Sequence, residues 1–446
     1  MMHQRVDRLP ALPGPAAWNS ILGGSPERTR LEGKQVSDFV VVGAGFAGLS
    51  AARRLRQLQP TATIMVLEAT RVAEGSAGRN SGFMIDLPHD LASEDYAGSG
   101  DDRAVIALNR MAIAFAEEAV SEYQINTNYF DKAGKVNGAA SAPAEANNTS
   151  YARHLASLDE PSEALDAQSM TELTGCGYYR SGLYTPGTVM LQPAGYINGL
   201  ATGLERQDVT IHENSPVTAL TRQGDTWMLQ TPNGSVSAGQ VILTVNGHLD
   251  SFGFAKRKLM QLFLYAVMTP ELDTETLKQL GGQARWGITP SDPMGTTIRK
   301  IDTGQGGNRI VTRTCATLAP DCHVGGKHVA RAAKVMQTKF EDRFPQLRGI
   351  KMEHTWAGHL CLTRNVVSLM RELDTGLYCG CVQNGLGTVR GTLTGIGAAE
   401  LACGVTSKIT ETFGSSEEPV TLPPRPFLEI GANAVLRWKE FRARTE

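Results

Sequence analysis

The hydrophobic pattern near the N-terminus predicts a strand, a glycine turn and a helix. In DFVVVGAGFAGLSAARRLRQL, residues 38–58, a β-branched apolar run meets three glycines and then changes to helical periodicity. The apolar run TATIMVLEA, residues 61–69, predicts a second buried strand. These segments form one βαβ unit, which starts a doubly wound α/β sheet.

The middle of the chain changes from helical to alternating patterns. Residues 101–123 have the periodicity of a long amphipathic helix, and 139–150, rich in Ala, Ser and Asn, predict a loop. The segment DAQSMTELTG predicts a short helix with Asp166 near its start. In residues 209–247 apolar and polar residues alternate, with turn signals at 223–225 and 232–234. We therefore expect a strand, a hairpin or three-stranded ribbon, and a strand returning to the main sheet.

The later segments predict a second sheet and a return to the first. LFLYAVMTPEL and NRIVTRTCAT are typical of strands in a second, antiparallel sheet, and VARAAKVMQTKFEDRF of a helix. GLYCGCVQNGLGTVRGTLTGIGAAELACG predicts a strand, a glycine loop and a helix, and the last residues a surface tail with a short helix.

These elements predict a Rossmann-type nucleotide domain and a second α+β substrate domain built on an antiparallel sheet. The predicted ranges are an N-terminal arm at 1–35, a discontinuous nucleotide domain at 36–90, 165–255 and 352–410, a substrate domain at 91–164 and 256–351, and a C-terminal tail at 411–446.

Composition narrows the class of protein. The 446 residues exceed one ordinary core, and a net charge of −2 gives no reason to expect nucleic acid as a partner. Seven scattered cysteines favour free thiols, although Cys379 and Cys381 could form a redox pair. No signal peptide, and no apolar run of the roughly 18 residues that a membrane span needs, is visible, so we expect a cytoplasmic protein.

The glycine turn at 43–48 has the context of a dinucleotide site. Gly43 makes the tight turn, Gly45 lets the backbone approach a pyrophosphate at the helix N-terminus, and Gly48 permits close packing of helix on strand. Glu68, at the end of the next strand, is placed to accept hydrogen bonds from the ribose of an adenosine. The alternative is a tight turn that binds no ligand.

A second glycine loop, GLGTVRG at 385–391, lies between a predicted strand and a helix. The N–H groups at the start of that helix would present partial positive charge to an anionic or electron-rich ligand. The alternative is a second phosphate loop, as in flavoprotein monooxygenases that use NADPH.

The stretch GSAGRNSGF, residues 75–83, decides between NAD and FAD by a resemblance. It resembles the flavin-contacting loop of the D-amino-acid oxidase (DAO) superfamily of FAD-dependent amine oxidoreductases, nearest to the gamma-glutamylputrescine oxidase-like branch. The arm LPGPAAW and the segments LQPAGYINGLA, SPVTAL, QVILTVNGH, WAGHLCLTRN and QNGLGT are similar to further segments of that family. Asn365 and Leu386 depart from the usual acid and histidine.

The resemblance implies the family's FAD-binding fold and a set of cofactor contacts. Arg79 would face phosphate or neighbouring backbone, and Asn80 would hydrogen-bond polar flavin atoms. The cofactor-binding residues implied are Gly43, Gly45, Phe46, Ala47, Gly48, Glu68, Ala69, Gly78, Arg79, Asn80, Ser81, Gly82, Val217, Asn246, Gly385, Leu386, Gly387 and Thr388. Gly358 stands where some relatives have a cysteine that attaches FAD, so we expect non-covalent FAD.

The function implied is oxidation of an amine or amino acid. A hydride passes from the amine α-carbon to flavin N5, and water hydrolyses the imine to a carbonyl. Molecular oxygen or an electron carrier would reoxidise the flavin. Oxidation of D-amino acids, glycine or N-methyl amino acids, a flavin-dependent RNA-modifying protein and a flavin-binding subunit without catalysis stay open as alternatives.

Candidate substrate-site residues come from the substrate-domain strands and the returning segment. Arg299 and Arg313 have the charge to bind a carboxylate, and His89 follows the flavin loop. The candidate catalytic residues are His359, Tyr265, Trp356, Asn384 and Arg299. Each is more often a structural residue, and no histidine pattern has the ligand count of a metal site.

Overall fold

The structure is a computed structural model that describes residues 3–88, 93, 97, 100–292 and 294–446. His89 therefore lies outside the described residues. The strands of the described part, β1 to β20 in chain order, are His3–Arg5, Gly33–Val42, Ile64–Leu67, Phe83–Met84, Phe130–Asp131, Lys135–Ala139, Glu163–Asp166, Ser181–Thr185, Val189–Leu191, Val209–His212, Ala219–Gln223, Thr226–Gln230, Gly234–Leu243, Met260–Met268, Trp286–Pro290, Thr297–Ile301, Arg309–Leu318, His354–Leu362, Leu369–Asp374 and Leu377–Cys381. The α-helices, α1 to α11, are Ala17–Ser20, Phe46–Leu58, Asp102–Glu122, Ala142–Ser157, Ala167–Thr174, Pro193–Glu205, Thr274–Leu280, Gly326–Arg343, Val389–Ala402, Lys408–Gly414 and Phe427–Arg442.

A nine-stranded sheet carries the predicted βαβ unit. Its parallel part has the order β10, β3, β2, β13 and β20. Strands β11 and β12 extend it as an antiparallel ribbon with the first half of β13, so the three-stranded ribbon is present. The doubly wound α/β fold predicted from the sequence is confirmed.

A second sheet has eight strands, in the order β18, β14, β17, β16, β15, β6, β8 and β7. All of its neighbouring strands are antiparallel except β15 and β6, which are parallel. Strands β8 and β18 belong to this sheet, whereas the predicted ranges 165–255 and 352–410 placed them in the nucleotide domain. The predicted domain ranges therefore need correction. Alternation along a strand does not show which sheet the strand joins, and here the chain changes sheets within the predicted ranges.

The segment predicted as a loop at 139–150 forms most of α4. The hydroxyl of Ser141 accepts a hydrogen bond from the N–H of Ala144, and Pro143 stands in the first turn, where its missing N–H does no harm. The buried positions Ala144, Asn148, Tyr151 and Leu155 recur at helical spacing. Because many residues of this segment are small or polar, its hydrophobic pattern did not predict a helix.

Both termini of the chain are fixed to the body of the protein. In the arm, β1 pairs antiparallel with β11, and the side chain of Trp18 is fully buried. At the other end the predicted surface tail contains α11, a 16-residue helix, and the buried Glu446 pairs with Arg343 at 2.7 Å. Among the described residues, no helix is both long enough and apolar enough to cross a lipid bilayer.

Candidate functional site

A cavity of about 300 Å³ lies at the carboxyl ends of the parallel strands, between the two large sheets. Its walls come from three sources: the loops of the nucleotide domain, the strands β14, β17 and β18, and the N-terminal arm. The arm contributes residues 8–13. In open α/β sheets this end of the strands is where ligands bind.

The turn between β2 and α2 has the backbone that a dinucleotide requires. Gly43 has φ +104°, and a Cβ there would lie 2.9 Å from the carbonyl oxygen of Thr244. A Cβ at Gly48 would lie 1.7 Å from the carbonyl oxygen of Gly43, so the helix can approach only because Gly48 has no side chain. At Gly45 the nearest atom is the Cβ of Ala77 at 3.7 Å, and this position opens on the cavity.

Two helix N-termini meet at this cavity. The first hydrogen bond inside α2 runs from Leu49 N to Gly45 O, so the N–H groups before Leu49 lack intrahelical partners. Helix α9 packs so closely on α2 that a Cβ at Gly395 would lie 2.1 Å from the carbonyl oxygen of Ala47. Together the two ends provide partial positive charge for an anionic or electron-rich ligand.

Glu68 connects the end of β3 to the glycine turn. Its Oε2 accepts a hydrogen bond from the N–H of Ala44 at 2.9 Å, and its Oε1 from the N–H of Thr70 at 3.0 Å. Burial raises the pKa of the Glu68 carboxyl, and these hydrogen bonds oppose the shift. The side chain and the following Ala69 both line the cavity, where a ribose would lie.

Loop 75–82 places its arginine against backbone. The guanidinium of Arg79 donates to the carbonyl oxygens of Glu74 at 2.6 Å, Ala357 at 3.2 Å and Pro13 at 3.3 Å, and also to that of Gly14. Of the two predicted partners, phosphate and neighbouring backbone, the structure shows backbone. Arg79 therefore joins the loop to the arm and to β18.

The predicted role of Asn80 needs correction. Its Nδ2 donates to the carbonyl oxygen of Ala77 at 2.6 Å, and its Oδ1 accepts from the N–H of Gly82 at 2.8 Å. Asn80 and Ser81 both line the cavity, but the amide of Asn80 serves to shape its own loop. An Asn that closes a local turn has the same sequence appearance as one that binds a ligand.

Gly78 and Gly82 do not line the cavity, although we predicted both as cofactor contacts. A Cβ at Gly78 would lie 1.8 Å from the carbonyl oxygen of Ala73. Gly82 has φ +82°, and its Cβ would lie 2.1 Å from Nη1 of Arg299. Both glycines therefore fix the path of the loop.

Asn246 is the residue that most directly indicates a bound polar group. It adopts φ +47° just after β13, lines the cavity, and its Oδ1 is buried without a hydrogen-bond partner in the described structure. A buried polar atom left without a partner is costly, so a ligand is expected to supply one. The buried Val217 lies on the same cavity wall.

Some residues of the second glycine loop line the cavity, and others contact the protein core. Gly385 and Gly387 line the cavity. Leu386 is buried in the hydrophobic core, and the hydroxyl of Thr388 donates to the carbonyl oxygen of Phe83 at 2.9 Å. The backbone of this loop thus faces the ligand, while Leu386 and Thr388, predicted as contacts, anchor it.

His359 lines the cavity and has a defined protonation state. Gln261 uses its Nε2 to donate to the carbonyl oxygen of Gly247 at 2.8 Å, so its Oε1 accepts from Nε2 of His359 at 2.9 Å. Burial lowers the pKa of His359 to about 3 and that of the neighbouring His248 to about 4. His359 is therefore a neutral imidazole that carries its proton on Nε2.

The other four predicted catalytic residues have structural partners. Tyr265 lines the cavity, but its hydroxyl donates to Oγ1 of Thr317 at 2.9 Å. Trp356 is buried and donates its indole N–H to the carbonyl oxygen of Arg79 at 3.0 Å. Asn384, with φ +48°, accepts from the N–H of Thr363 at 2.8 Å and shapes the turn after β20.

Arg299 does not reach the cavity either. Its side chain is fully buried, and it donates to the carbonyl oxygens of Leu191 and Ser81 and to Oε1 of Gln305. Arg313, in contrast, lines the cavity from β17, opposite Ala266 of β14. Arg299 pairs with Val311, two residues before Arg313, so both arginines point to the same face of the sheet. Their positions along the strands separate them, and the sequence did not show which position meets the cavity.

Sequence reasoning missed the contacts that support His359. Gln261 lies on β14 outside the segments that resemble the family. His248 ends the segment QVILTVNGH just after β13, but its contact with His359 was not predicted. The sequence predicted an N-terminal arm at 1–35, but not the contribution of Arg8 to Pro13 to the cavity wall. Only the tertiary structure brings these segments together. Among the described residues, no group of three or more His, Cys, Asp or Glu comes together to hold a metal.

The comparisons with known proteins identify the family. A family model described as "FAD dependent oxidoreductase", abbreviated DAO, matches residues 38–401. The chain belongs to the DAO family. It is an FAD-dependent oxidoreductase, and the free helix N-termini, the open position at Gly45 and the unpartnered Oδ1 of Asn246 fit the cofactor of that family.

Individual DAO-family proteins are similar over most of the chain. Gamma-glutamylputrescine oxidoreductase of Escherichia coli is 23% identical over 82% of this chain and 84% of its own. A probable oxidoreductase, OrdL, of Haemophilus influenzae is 23% identical over 82% of this chain and 83% of its own. Glycine oxidase from Geobacillus kaustophilus shares the fold, with a TM-score of 0.68, 15% identity, and coverage of 84% of this chain and 96% of its own.

Proposed function

We propose that the chain oxidises a primary or secondary amine whose molecule also carries a carboxylate, as gamma-glutamylputrescine does. The observation that carries this proposal is Arg313, a cation on the β17 wall of the cavity, where Ala266 lies opposite it and Leu264 lines the same wall. A guanidinium beside apolar walls favours a planar anion, which it can bind through two parallel hydrogen bonds.

The cavity also selects the protonation state of the amine. A free alkylamine has a pKa near 10.4, so it reaches the site mainly as a cation. Apolar walls and the neutral imidazole of His359 favour the uncharged amine, because desolvation opposes a buried cation. The uncharged amine is the form that can release a hydride from its α-carbon.

Different residues are proposed to hold the different parts of FAD. Gly43, Gly45 and the start of α2 would hold the pyrophosphate, and Glu68 the ribose. The backbone of loop 75–82, Asn246 and the start of α9 would hold the flavin end. We propose that FAD is held non-covalently, since Gly358 offers no sulfur and burial raises the pKa of the cavity-lining Cys361 thiol, which disfavours the reactive thiolate.

Bound FAD supplies the electron-accepting ring for this oxidation. The chain's own residues have three tasks: they exclude water with the walls of β14 and β17, orient the carboxylate through Arg313, and accept a hydrogen bond from the amine at a neutral group. None of these tasks needs a nucleophilic side chain.

The test is an anaerobic panel of amines scored by bleaching of the yellow holoprotein. The panel contains gamma-glutamylputrescine, putrescine, glycine, sarcosine and D-alanine. We expect the fastest bleaching with gamma-glutamylputrescine, whose carboxylate is remote from the reacting carbon. Fastest bleaching by glycine, sarcosine or D-alanine would favour the alternative, an α-amino acid oxidase. Admission of air then distinguishes oxygen from a separate electron carrier as the acceptor.

A further inference from the structure

Helix α11 turns its polar side toward the protein. Oδ1 of Asn433 accepts a hydrogen bond from the backbone N–H of Leu318 at 3.2 Å, and Oε1 of Glu440 accepts from that of Ala316 at 3.0 Å. These N–H groups lie on β17 beyond Arg313, where its pairing with β16 ends. The polar residues of α11 thus cover a strand edge, in place of the apolar contacts by which a surface helix usually packs.

The apolar side of α11 faces outward as a consequence. Residues 427, 430, 438 and 441 recur at the spacing of one helix face, and 435 lies beside them. The large apolar side chains of this face, between 52% and 71% exposed, are Phe427, Ile430, Val435, Trp438 and Phe441. Such a concentration on one helix is unlike the scattered single apolar residues of an ordinary surface.

The acidic side chains of this helix are engaged in ion pairs with arginines. Glu440 pairs with Arg331 and Arg437, and Glu429 pairs with Arg425. Cations, in contrast, lie against the exposed rings: the guanidinium of Arg442 is 5.1 Å from the ring centre of Trp438, and that of Arg444 is 3.8 Å from that of Phe441. The face therefore presents aromatic rings and positive charge together.

We propose that α11 docks the protein onto an anionic lipid bilayer surface. In this arrangement the helix lies parallel to the surface, its five large apolar side chains enter the boundary between headgroups and acyl chains, and Arg442 and Arg444 contact anionic headgroups. Trp, Phe and Arg on the exposed side of a helix are the combination that binds such an interface. The helix rests on the surface and does not span it.

A second copy of the chain fits this face less well. A helix of 16 residues is about 24 Å long and about 10 Å wide, so its exposed strip offers a few hundred Å². A stable dimer buries about 800 Å² on each partner. Parallel packing of two such helices would also bring Arg442 and Arg444 of each chain close to one another, where like charges repel.

Trp438 makes the proposal directly measurable. The chain has five tryptophans. Trp18, Trp227, Trp286 and Trp356 are at most 3% exposed, whereas Trp438 is 55% exposed. When the holoprotein meets vesicles of phosphatidylglycerol, we expect a blue shift of the tryptophan emission and quenching by brominated lipid. Vesicles of phosphatidylcholine should bind at least about tenfold more weakly, and added salt should release the protein from phosphatidylglycerol.

The decisive variant is the double substitution Phe427→Gln, Ile430→Gln, which keeps the Trp438 reporter. It should lower the apparent affinity for phosphatidylglycerol vesicles at least about tenfold, because two apolar side chains no longer enter the boundary. The matched control is Met111→Gln, an exposed apolar residue on α3, which should leave binding unchanged. Flavin bleaching by substrate verifies that each variant is folded.

Three results would overturn the proposal. The first is a holoprotein that neither shifts its emission nor floats with either kind of vesicle. The second is equal vesicle binding by the wild type and by the double variant. The third is a wild-type dimer in sedimentation velocity that the double variant converts to monomer, with no vesicle binding, since the face would then join two copies of the chain.

Discussion

The indole nitrogen of Trp18 lies 2.9 Å from the carbonyl oxygen of Asn80 and donates a hydrogen bond to it. This contact links the N-terminal arm to loop 75–82, across 62 positions of sequence. The guanidinium of Arg299 lies over the ring of Trp18, 5.3 Å from the ring centre. The arm is thus part of the support for the proposed flavin loop.

Replacing Trp18 by Phe should weaken FAD binding through this support. The variant loses one buried hydrogen bond, which costs about 1 kcal/mol of unfolding free energy. The matched control is Trp227→Phe, because the indole of Trp227 makes a similar hydrogen bond, to Thr375 at 3.0 Å, away from the cavity. Thermal unfolding should change similarly in both variants, but FAD retention should fall only in Trp18→Phe. Equal retention would show that the arm does not support the site.

Gly45→Val should give a folded but colourless protein. The position has an extended backbone and only the Cβ of Ala77 nearby, so a side chain meets little protein and enters the proposed pyrophosphate site. Visible absorbance after purification measures the result. Gly177→Val, where nothing lies within 4 Å of the added Cβ, is the control and should remain yellow. A yellow Gly45→Val variant would contradict the placement of the pyrophosphate.

Glu68→Ala should raise the dissociation constant of FAD roughly tenfold, since a charged acceptor of two ribose hydroxyls is lost. Glu68→Gln should have a smaller effect, because an amide oxygen still accepts from the N–H of Ala44. Titration of the apoprotein with FAD, followed by flavin fluorescence, measures both values. Unchanged affinity in both variants would mean that other groups hold the ribose.

Substitutions of Arg299 and Arg313, both in the eight-stranded sheet, should have different effects. Arg299→Met leaves the buried oxygens of Leu191, Ser81 and Gln305 without a donor, so it should lower the free energy of unfolding by about 3 kcal/mol. Arg313→Met should raise KM for a carboxylate-bearing amine about tenfold or more, with little effect on a matched amide analogue. Denaturation and steady-state kinetics separate the two. An increased KM in FAD-saturated Arg299→Met, without loss of stability, would contradict its structural role.

Acid should destabilise the protein through His248 and His359. In the unfolded chain a histidine binds its proton near pH 6.5, whereas burial lowers the folded pKa values to about 4 and about 3. The unfolded state therefore binds more protons across this window, and stability falls as the pH drops from 6.5 toward 3. The double variant His248→Asn, His359→Asn should flatten the melting temperature against pH. His323→Asn, on an exposed turn, serves as control, and an unchanged pH slope in the double variant would refute the assignment.

How far the sequence predicts the site depends on the range of the contacts. The turn at 43–48 and Glu68 follow from local spacing, because a strand, a glycine turn and a helix leave few other conformations. The role of Asn80 does not follow from local spacing. The family resemblance implied a ligand contact, but whether its amide binds a ligand or its own turn depends on backbone angles that the sequence does not state.

The sequence by itself determined the doubly wound sheet, the glycine turn and the family, since these rest on periodicity and on residues adjacent along the chain. Tertiary structure alone decided that β8 and β18 join the second sheet, that Arg313 and not Arg299 reaches the cavity, and that Gln261 fixes the proton of His359. It also decided that α11 turns its apolar side outward. The physical reason is that the surroundings of a side chain are set by the segments packed against its strand or helix, and those segments lie far away along the chain.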